Sequence, residues 1–263
     1  KKPLIFSILN ITPDSFSDGG DNLCLNDSLR NAEQMINDGA DFIDIGGEST
    51  RPGSDVVLPA DEAIRVLPII QKLSNKKLKL SLDTRNSSTM ELGLLAGVNI
   101  INDVSALKND PKSVEIIKKY NVPVILMHMP GNPQTMMKKN KYKNVVLDVY
   151  DFLEERIKFC ELKGIKRKNL IIDPGIGFGK DFNQNVEILN NLSIFHSLGC
   201  SIMLGISRKR FISSISREDN PKMRIGGTIS ATILAMMQGI KIHRVHDVKQ
   251  VNQALKVFEK LNS

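Results

Sequence analysis

Residues 171–178, Ile171-Ile172-Asp173-Pro174-Gly175-Ile176-Gly177-Phe178, carry an apolar, strand-like pair straight into a carboxylate and a glycine-rich turn. An acid placed there commonly serves a ligand, because glycine lets the backbone approach it closely. The same design recurs along the chain. Apolar runs end in Asp44-Ile45-Gly46-Gly47-Glu48, in Asp83-Thr84-Arg85, in Asn102-Asp103 and in Arg244-Val245-His246-Asp247. Polar groups at the carboxyl ends of successive buried strands are how a (β/α)8 barrel builds a site.

Working outward, short apolar runs alternate with longer amphipathic stretches from end to end. The spacing predicts strands at Leu4 to Leu9, Phe42 to Ile45, Lys79 to Leu82, Ile100 to Asn102, Val124 to Met127, Leu170 to Ile172, Ser201 to Leu204 and Ile242 to Val245. Helical spacing is clear in Val146, Val149, Leu153, Ile157 and Cys160, and in Ile229, Ile233, Leu234 and Met237. Gly39 and Gly97 stand where helices end, and Asp110-Pro111 and Asn183 where helices begin. Further helices are expected from Pro221 to Gln238 and from Val248 to Leu261. An open, doubly wound sheet alternates in the same way; the number of repeats favours a closed α/β TIM barrel, one domain over residues 1–263. Two polar connections, Ile11 to Asn26 and Gly46 to Pro59, have the length of lids over its ligand-bearing face.

The chain has 263 residues and 41% hydrophobic content, enough for one large core. Three scattered cysteines, Cys24, Cys160 and Cys200, make neither a disulfide framework nor a zinc cluster, so a reducing compartment, the cytoplasm, is expected. Apolar runs are broken well before membrane-spanning length, and no membrane association is expected. The net charge of +7 asks for an anionic partner. Lysines at 76, 77 and 79, then at 138, 139, 141 and 143, cluster around expected helix ends and loops without interleaved aromatics, so a solvated basic surface is expected rather than a nucleic-acid face.

The chemistry gathers at the strand ends. Asp83, Asn102 and Asp173 would converge on one cavity in a closed barrel, two carboxylates and an amide suited to the edge of a flat, donor-rich heterocycle. Taken singly, each acid could equally cap a helix or pair with an arginine. Lys209, beside Gly205 at the end of the seventh run, is placed to stack on or bond to the same ring. Arg244 and His246 flank Val245 and so share one side of the last strand, where they form an anion clamp. His128, His196 and His243 lack comparable company, and no metal-ligand spacing links the histidines. Asn10 to Gly20 offers oxygen ligands only, which suits Mg²⁺, and its Thr12-Pro13-Asp14 and Asp18-Gly19-Gly20 are also good turn formers.

The strings NITPDSFSDGG (10–20), GGESTRPG (46–53), SLDTR (81–85), INDVSA (101–106), MHMPGNPQTM (127–136), IIDPGIGFGK (171–180), GISRKRF (205–211) and RVHDV (244–248), in this order, resemble the dihydropteroate synthase family of folate biosynthesis. The resemblance runs from Lys2 to about Val248. It implies a TIM barrel that condenses 6-hydroxymethyl-7,8-dihydropterin pyrophosphate with p-aminobenzoate. Carried over by position, it implies a pterin pocket of Asp83, Asn102, Asp173, Gly205, Lys209 and Arg244. The pyrophosphate site it implies is Asn10, Arg244 and His246, with Mg²⁺ on Asn10, and Asp83, Lys209, Arg244 and His246 are the residues expected to carry catalysis. For p-aminobenzoate it implies Phe16, Thr50, Arg51, Pro52, Phe178 and Lys209, and it implies a homodimer joined through outer helices. The chain departs from several relatives in carrying Arg210 where they carry serine. Two other readings have stated discriminants: a pterin-dependent methyltransferase would need no pyrophosphate clamp, and a non-catalytic basic barrel would bind nucleic acid in a salt-sensitive way.

Overall fold

A computed structural model describes residues 2–11, 21–49, 53, 54, 56–138 and 141–262, with the backbone alone for 21–24. Eight strands run parallel: β1 (Leu4–Asn10), β2 (Phe42–Gly46), β3 (Leu80–Asp83), β4 (Ile100–Asp103), β5 (Val124–Met127), β6 (Leu170–Asp173), β7 (Ser201–Gly205) and β8 (Ile242–Val245). They follow one another around the barrel, and β1 pairs with β8 from Leu4↔Ile242 to Ser7↔Val245. That last pairing distinguishes the closed barrel from the open sheet. Between and after the strands lie α1 (Asp21–Asn37), α2 (Pro59–Asn75), α3 (Ser87–Leu95), α4 (Ser113–Tyr120), α5 (Val145–Leu162), α6 (Phe182–Asn190), α7 (Arg210–Ser216), α8 (Ile225–Met237) and α9 (Val248–Leu261). No helix among the described residues is long and apolar enough to cross a membrane.

Alternation along each strand sorts the side chains into two sets. One set meets the helices: Ile43, Ile45, Leu80, Leu82, Ile101, Leu126 and Ile172 are wholly buried there. The other set points into the barrel, where Phe6, Ile100, Ile125, Met203 and Ile242 form a separate apolar plug with Leu4, Phe42 and Ile171 against it. Above the plug the inward positions turn polar. Register pairs Asp44 with Ser81, Gly46 with Asp83, Asp83 with Asn102, Met127 with Asp173, and Gly205 with Arg244. Burial on both faces explains the nearly continuous apolar strands; the polar group at each end explains why they stop.

Six of the eight strands outlast their expected ends by one residue, so that Asn10, Gly46, Asp83, Asp103, Asp173 and Gly205 are themselves the last strand residues. Helix starts shift more. The segment Asp21 to Asn26, expected as part of the first long connection, is the opening of α1. Helix α6 starts at its Asp181 cap, whose carboxylate accepts from Gln184 N at 2.9 Å in a capping box, not at Asn183. Asp110 accepts instead from the backbone of Ser87 and Lys112, at 3.1 and 3.0 Å, and α4 begins only at Ser113. Gly39 and Gly97 do follow helix ends, at φ of +107° and +106°. In α8 the inward face is Thr228, Ala231, Thr232, Ala235 and Met236, which leaves Leu234 and Met237 facing outward.

Gly175, just past β6, has φ +70°, and a Cβ there would stand 2.0 Å from the carbonyl oxygen of His128. Both the left-handed backbone and the close approach exclude a larger residue. Gly175→Ala should therefore cost at least about 2 kcal/mol of folding stability by denaturant titration; a variant as stable as the parent would show that this turn is not held as described.

Candidate active site

The β6–α6 turn is fastened from below. Asp173, buried at the end of β6, accepts from Gly175 N at 2.7 Å, and Asn185 accepts from Gly177 N at 2.6 Å. Inside the turn lies Lys180, only 3% exposed, whose ammonium donates to Gly175 O at 2.8 Å and Phe178 O at 3.0 Å and meets His128 Nδ1 at 2.9 Å. Three N–H groups find three acceptors, which is how a lysine survives burial. Burial still lowers its pKa to about 7. The fastened turn presents Phe178, and Lys209 Nζ stands 4.1 Å from the centre of that ring. His128 thus has company the sequence did not disclose: besides Lys180, it meets the Phe152 ring edge-on with centroids 4.8 Å apart.

Across the mouth, Arg244 reaches inward. Its Nε donates to Asp44 Oδ2 at 2.6 Å and its Nη2 to Asp83 Oδ2 at 2.8 Å, while Asn102 Nδ2 donates to the same Asp44 oxygen at 3.1 Å. Gly205 leaves room beside this network: a Cβ there would lie 3.8 Å from Arg244 Cβ and 3.9 Å from Asp173 Oδ2. Asp83, Asn102, Asp173, Gly205, Lys209 and Arg244, expected to converge, therefore line one polar chamber above the apolar plug. Burial raises the pKa of both Asp83 and Asp173, with Arg244 opposing it at Asp83 and the Gly175 N–H and Lys209 opposing it at Asp173. Burial lowers the Lys209 pKa, with Asp173 opposing. The chamber holds its charges by mutual compensation.

His246 stands just past β8, on the β7 side. Its backbone N–H donates to Ser207 Oγ at 3.2 Å, and its Nδ1 lies 3.0 Å from the same oxygen. Ser207 Oγ can then give its own proton to Nδ1, the tautomer that carries the imidazole proton on Nε2. Burial, with Arg208 and Arg244 nearby, depresses the His246 pKa to about 3, so the ring is a neutral donor at pH 7. Arg208, at φ +60°, forks onto both oxygens of Asp247, and Arg224 Nη1 donates to Arg208 O at 3.0 Å, fixing this corner.

Asn10 ends β1 with its Oδ1 3.7 Å from the Cβ position of Gly46, which in turn lies 3.6 Å from Asp83 Cβ. It borders the cluster at the end of β1, one strand from Arg244 on β8. Phe16, Thr50, Arg51 and Pro52 lie outside the described residues. The roots of the second connection are described: Arg85 forks onto Glu48 at 2.8 and 3.0 Å, Val57 N donates to Glu48 at 3.2 Å, and Arg65 donates to Gly47 O at 2.9 Å. Arg210 is exposed at the start of α7. Asp44, Lys180, Ser207 and the Glu48–Arg85 pair are the additions that structure makes to the sequence reading. A signal existed for Asp44, an acid on the inward period of an otherwise apolar strand; none existed for the buried lysine.

A comparison of the chain with protein families matches it to the pterin binding enzymes over residues 6–246. The dihydropteroate synthase of Escherichia coli (strain K12) is 40% identical over 98% of this chain and 91% of its own length. The chain belongs to the dihydropteroate synthase family. It is with that family a transferase. Two solved Xanthomonas albilineans dihydropteroate synthases share its fold: one with 4-aminobenzoic acid, at TM-score 0.93, 39% identity and coverage of 100% of this chain and 94% of that one. The other, in complex with 7,8-dihydropteroate, gives TM-score 0.90 and 37% identity, covering 100% and 95%.

The depressed His246 pKa has a measurable sign. Between about 3 and the ordinary 6.5 the unfolded chain binds a proton that the folded chain refuses, so this group's stabilisation is complete above 6.5 and is lost as pH falls toward 3. The raised Asp83 and Asp173 act in the opposite sense. The difference between parent and His246→Gln isolates the histidine: the variant should lose less melting temperature than the parent between pH 7 and pH 4, and parallel losses would mean that His246 is not buried as a neutral ring.

Proposed function

We propose that this chamber carries out the family's reaction, the condensation of 6-hydroxymethyl-7,8-dihydropterin pyrophosphate with p-aminobenzoate to 7,8-dihydropteroate and pyrophosphate, by a dissociative route. The observation that carries the assignment of roles is the convergence of Asp83, Asn102 and Asp173 with Lys209 and Arg244 at the carboxyl ends of the barrel strands. Each acid keeps one oxygen for the ring, since Asp83 spends Oδ2 on Arg244 and Asp173 spends Oδ1 on Gly175 N. As the C–O bond to pyrophosphate breaks, positive charge spreads over the pterin, and two carboxylates whose pKa burial raises stabilise it. Lys209 covers the ring's rim beside Phe178, where p-aminobenzoate enters with Phe16, Thr50, Arg51 and Pro52 of the two long connections.

The departing pyrophosphate leaves toward Arg244 and His246. Arg244 supplies charge, and neutral His246 donates through Nε2, held in that tautomer by Ser207. Asn10, a hard amide oxygen at a strand end, is the residue that would hold Mg²⁺ on this side. When bound, it neutralises charge on the leaving group. The aromatic amine is neutral at pH 7, so attack on the cation needs no strong base. In this scheme p-aminobenzoate binds only after the first substrate is in place, and water is kept from the cation.

The partners are thus two small molecules. A second copy of the chain is proposed as a further partner, supported by the outward apolar residues Met223, Leu234 and Met237, of which Met237 is 72% exposed. Cytoplasmic residence is proposed from the chemistry and from Cys160 and Cys200, both free thiols.

The test is pyrophosphate release from the pterin pyrophosphate, with and without p-aminobenzoate, in Mg²⁺ and in chelator. Release that requires Mg²⁺, with dihydropteroate formed only when p-aminobenzoate is present, is expected; p-aminobenzoate binding equally well to the free protein would defeat the ordered scheme. In a second test, Asp173→Asn replaces an acceptor by an amide facing the ring, and should weaken pterin binding by about 1.5 to 3 kcal/mol. Unchanged affinity by calorimetry would remove Asp173 from the pocket.

A further inference from the structure

Asp44 lies beneath the chamber, wholly buried, two residues before the end of β2. Its Oδ2 accepts at once from Asn102 Nδ2 at 3.1 Å and from Arg244 Nε at 2.6 Å. A carboxylate can only accept. It therefore admits the Asn102 amide in a single orientation, NH₂ downward, and turns Asn102 Oδ1 up toward the chamber, where no described residue donates to it. The same oxygen holds one edge of the Arg244 guanidinium while Asp83 holds the other.

We propose that Asp44 is a positioning residue that sets the hydrogen-bond polarity of the chamber. With the amide oxygen of Asn102 turned outward, Asp83, Asn102 and Asp173 present acceptors only, so the chamber selects a flat heterocycle whose edge is lined with N–H donors. This deepens the pterin assignment above and rests on it. The energetics agree. Asp44 Oδ1 and the Oγ of Ser81, its register partner on β3, are both buried with no hydrogen-bond partner among the described residues. A buried carboxylate with one idle oxygen is a costly occupant of a barrel interior, and an apolar side chain of that size would fill the space at lower cost. What the acid supplies is direction: an asparagine at position 44 could donate to Asn102 Oδ1, let the Asn102 amide turn over, and put a donor where the ring also has a donor.

The experiment is calorimetric binding of pterin and of lumazine, in which a ring-edge amino donor is replaced by a carbonyl acceptor, together with deaza isosteres that replace one edge donor at a time. The full-length parent and Asp44→Asn are compared after matching their melting profiles. In the variant, pterin affinity should fall about tenfold or more, and discrimination against at least one isostere should shrink by a similar factor. The KM for p-aminobenzoate at saturating pterin pyrophosphate should stay at the parent's value, which a merely structural lesion would move as well. Should Asp44→Asn fail to fold, Asp44→Ser frees the same amide and is read in the same way. A parent that discriminates among the rings and a variant that does so equally would overturn the role of Asp44 alone. A parent that binds none of the rings would overturn the pterin assignment and this inference with it.

Discussion

Everything at the mouth of this barrel depends on one guanidinium. Arg244 comes from the last strand and bonds to acids on the second and third, Asp44 at 2.6 Å and Asp83 at 2.8 Å. Without it, buried carboxylates would face one another across a narrow chamber, and like charges at such range force protonation or unfolding. The arginine offsets that repulsion and is itself held charged by it: Asp44 and Asp83 raise its pKa against the effect of burial. It also ties the end of the chain's sheet to its beginning, a side-chain counterpart of the β1–β8 pairing that closes the barrel.

The second organising constraint is the division between rigid and looped parts. Asp83, Asn102, Asp173, Gly205 and Arg244 all stand on paired strand residues, so the hydrogen-bonded ladder fixes their spacing. The β6–α6 turn is irregular, and it reaches comparable order by a different means, the buried ammonium of Lys180 filling a cage of carbonyl oxygens and an imidazole nitrogen. The Glu48–Arg85 fork does the same for the root of the second connection. Polar interiors of this kind work only when nearly every group is partnered, and among the described residues the exceptions are side-chain atoms of Ser7, Asp44, Glu62, Ser81, Ser113 and His243.

Much of this was legible in the sequence, for a physical reason. Strands buried on both faces must be apolar, so a polar residue such as Asp83, Asn102 or Asp173 at the end of such a run announces itself. Arg244 and His246 were legible as a pair, but their division of labour was not: one is engaged by two acids, the other is kept neutral. Asp44 was legible as an acid in an apolar strand, but its task was not, because the period that points it inward says nothing about what lies there. Lys180 was hidden because lysine ordinarily seeks water, and only the closed turn supplies enough acceptors to replace it. Asp21 to Asn26 read as loop because Asp21, Asn22 and Asn26 are common both in loops and in the first turn of a helix.

The strand-borne half of the site has a consequence for descent. Asp83 and Arg244 belong both to the polar cluster at the mouth and to the ties across the barrel, so a change at either is felt first as poor folding. Replacements outside the paired strands leave the register itself unchanged and are screened on activity alone. Lineages of this chain should thus drift in their connections long before they alter the strand-borne cluster.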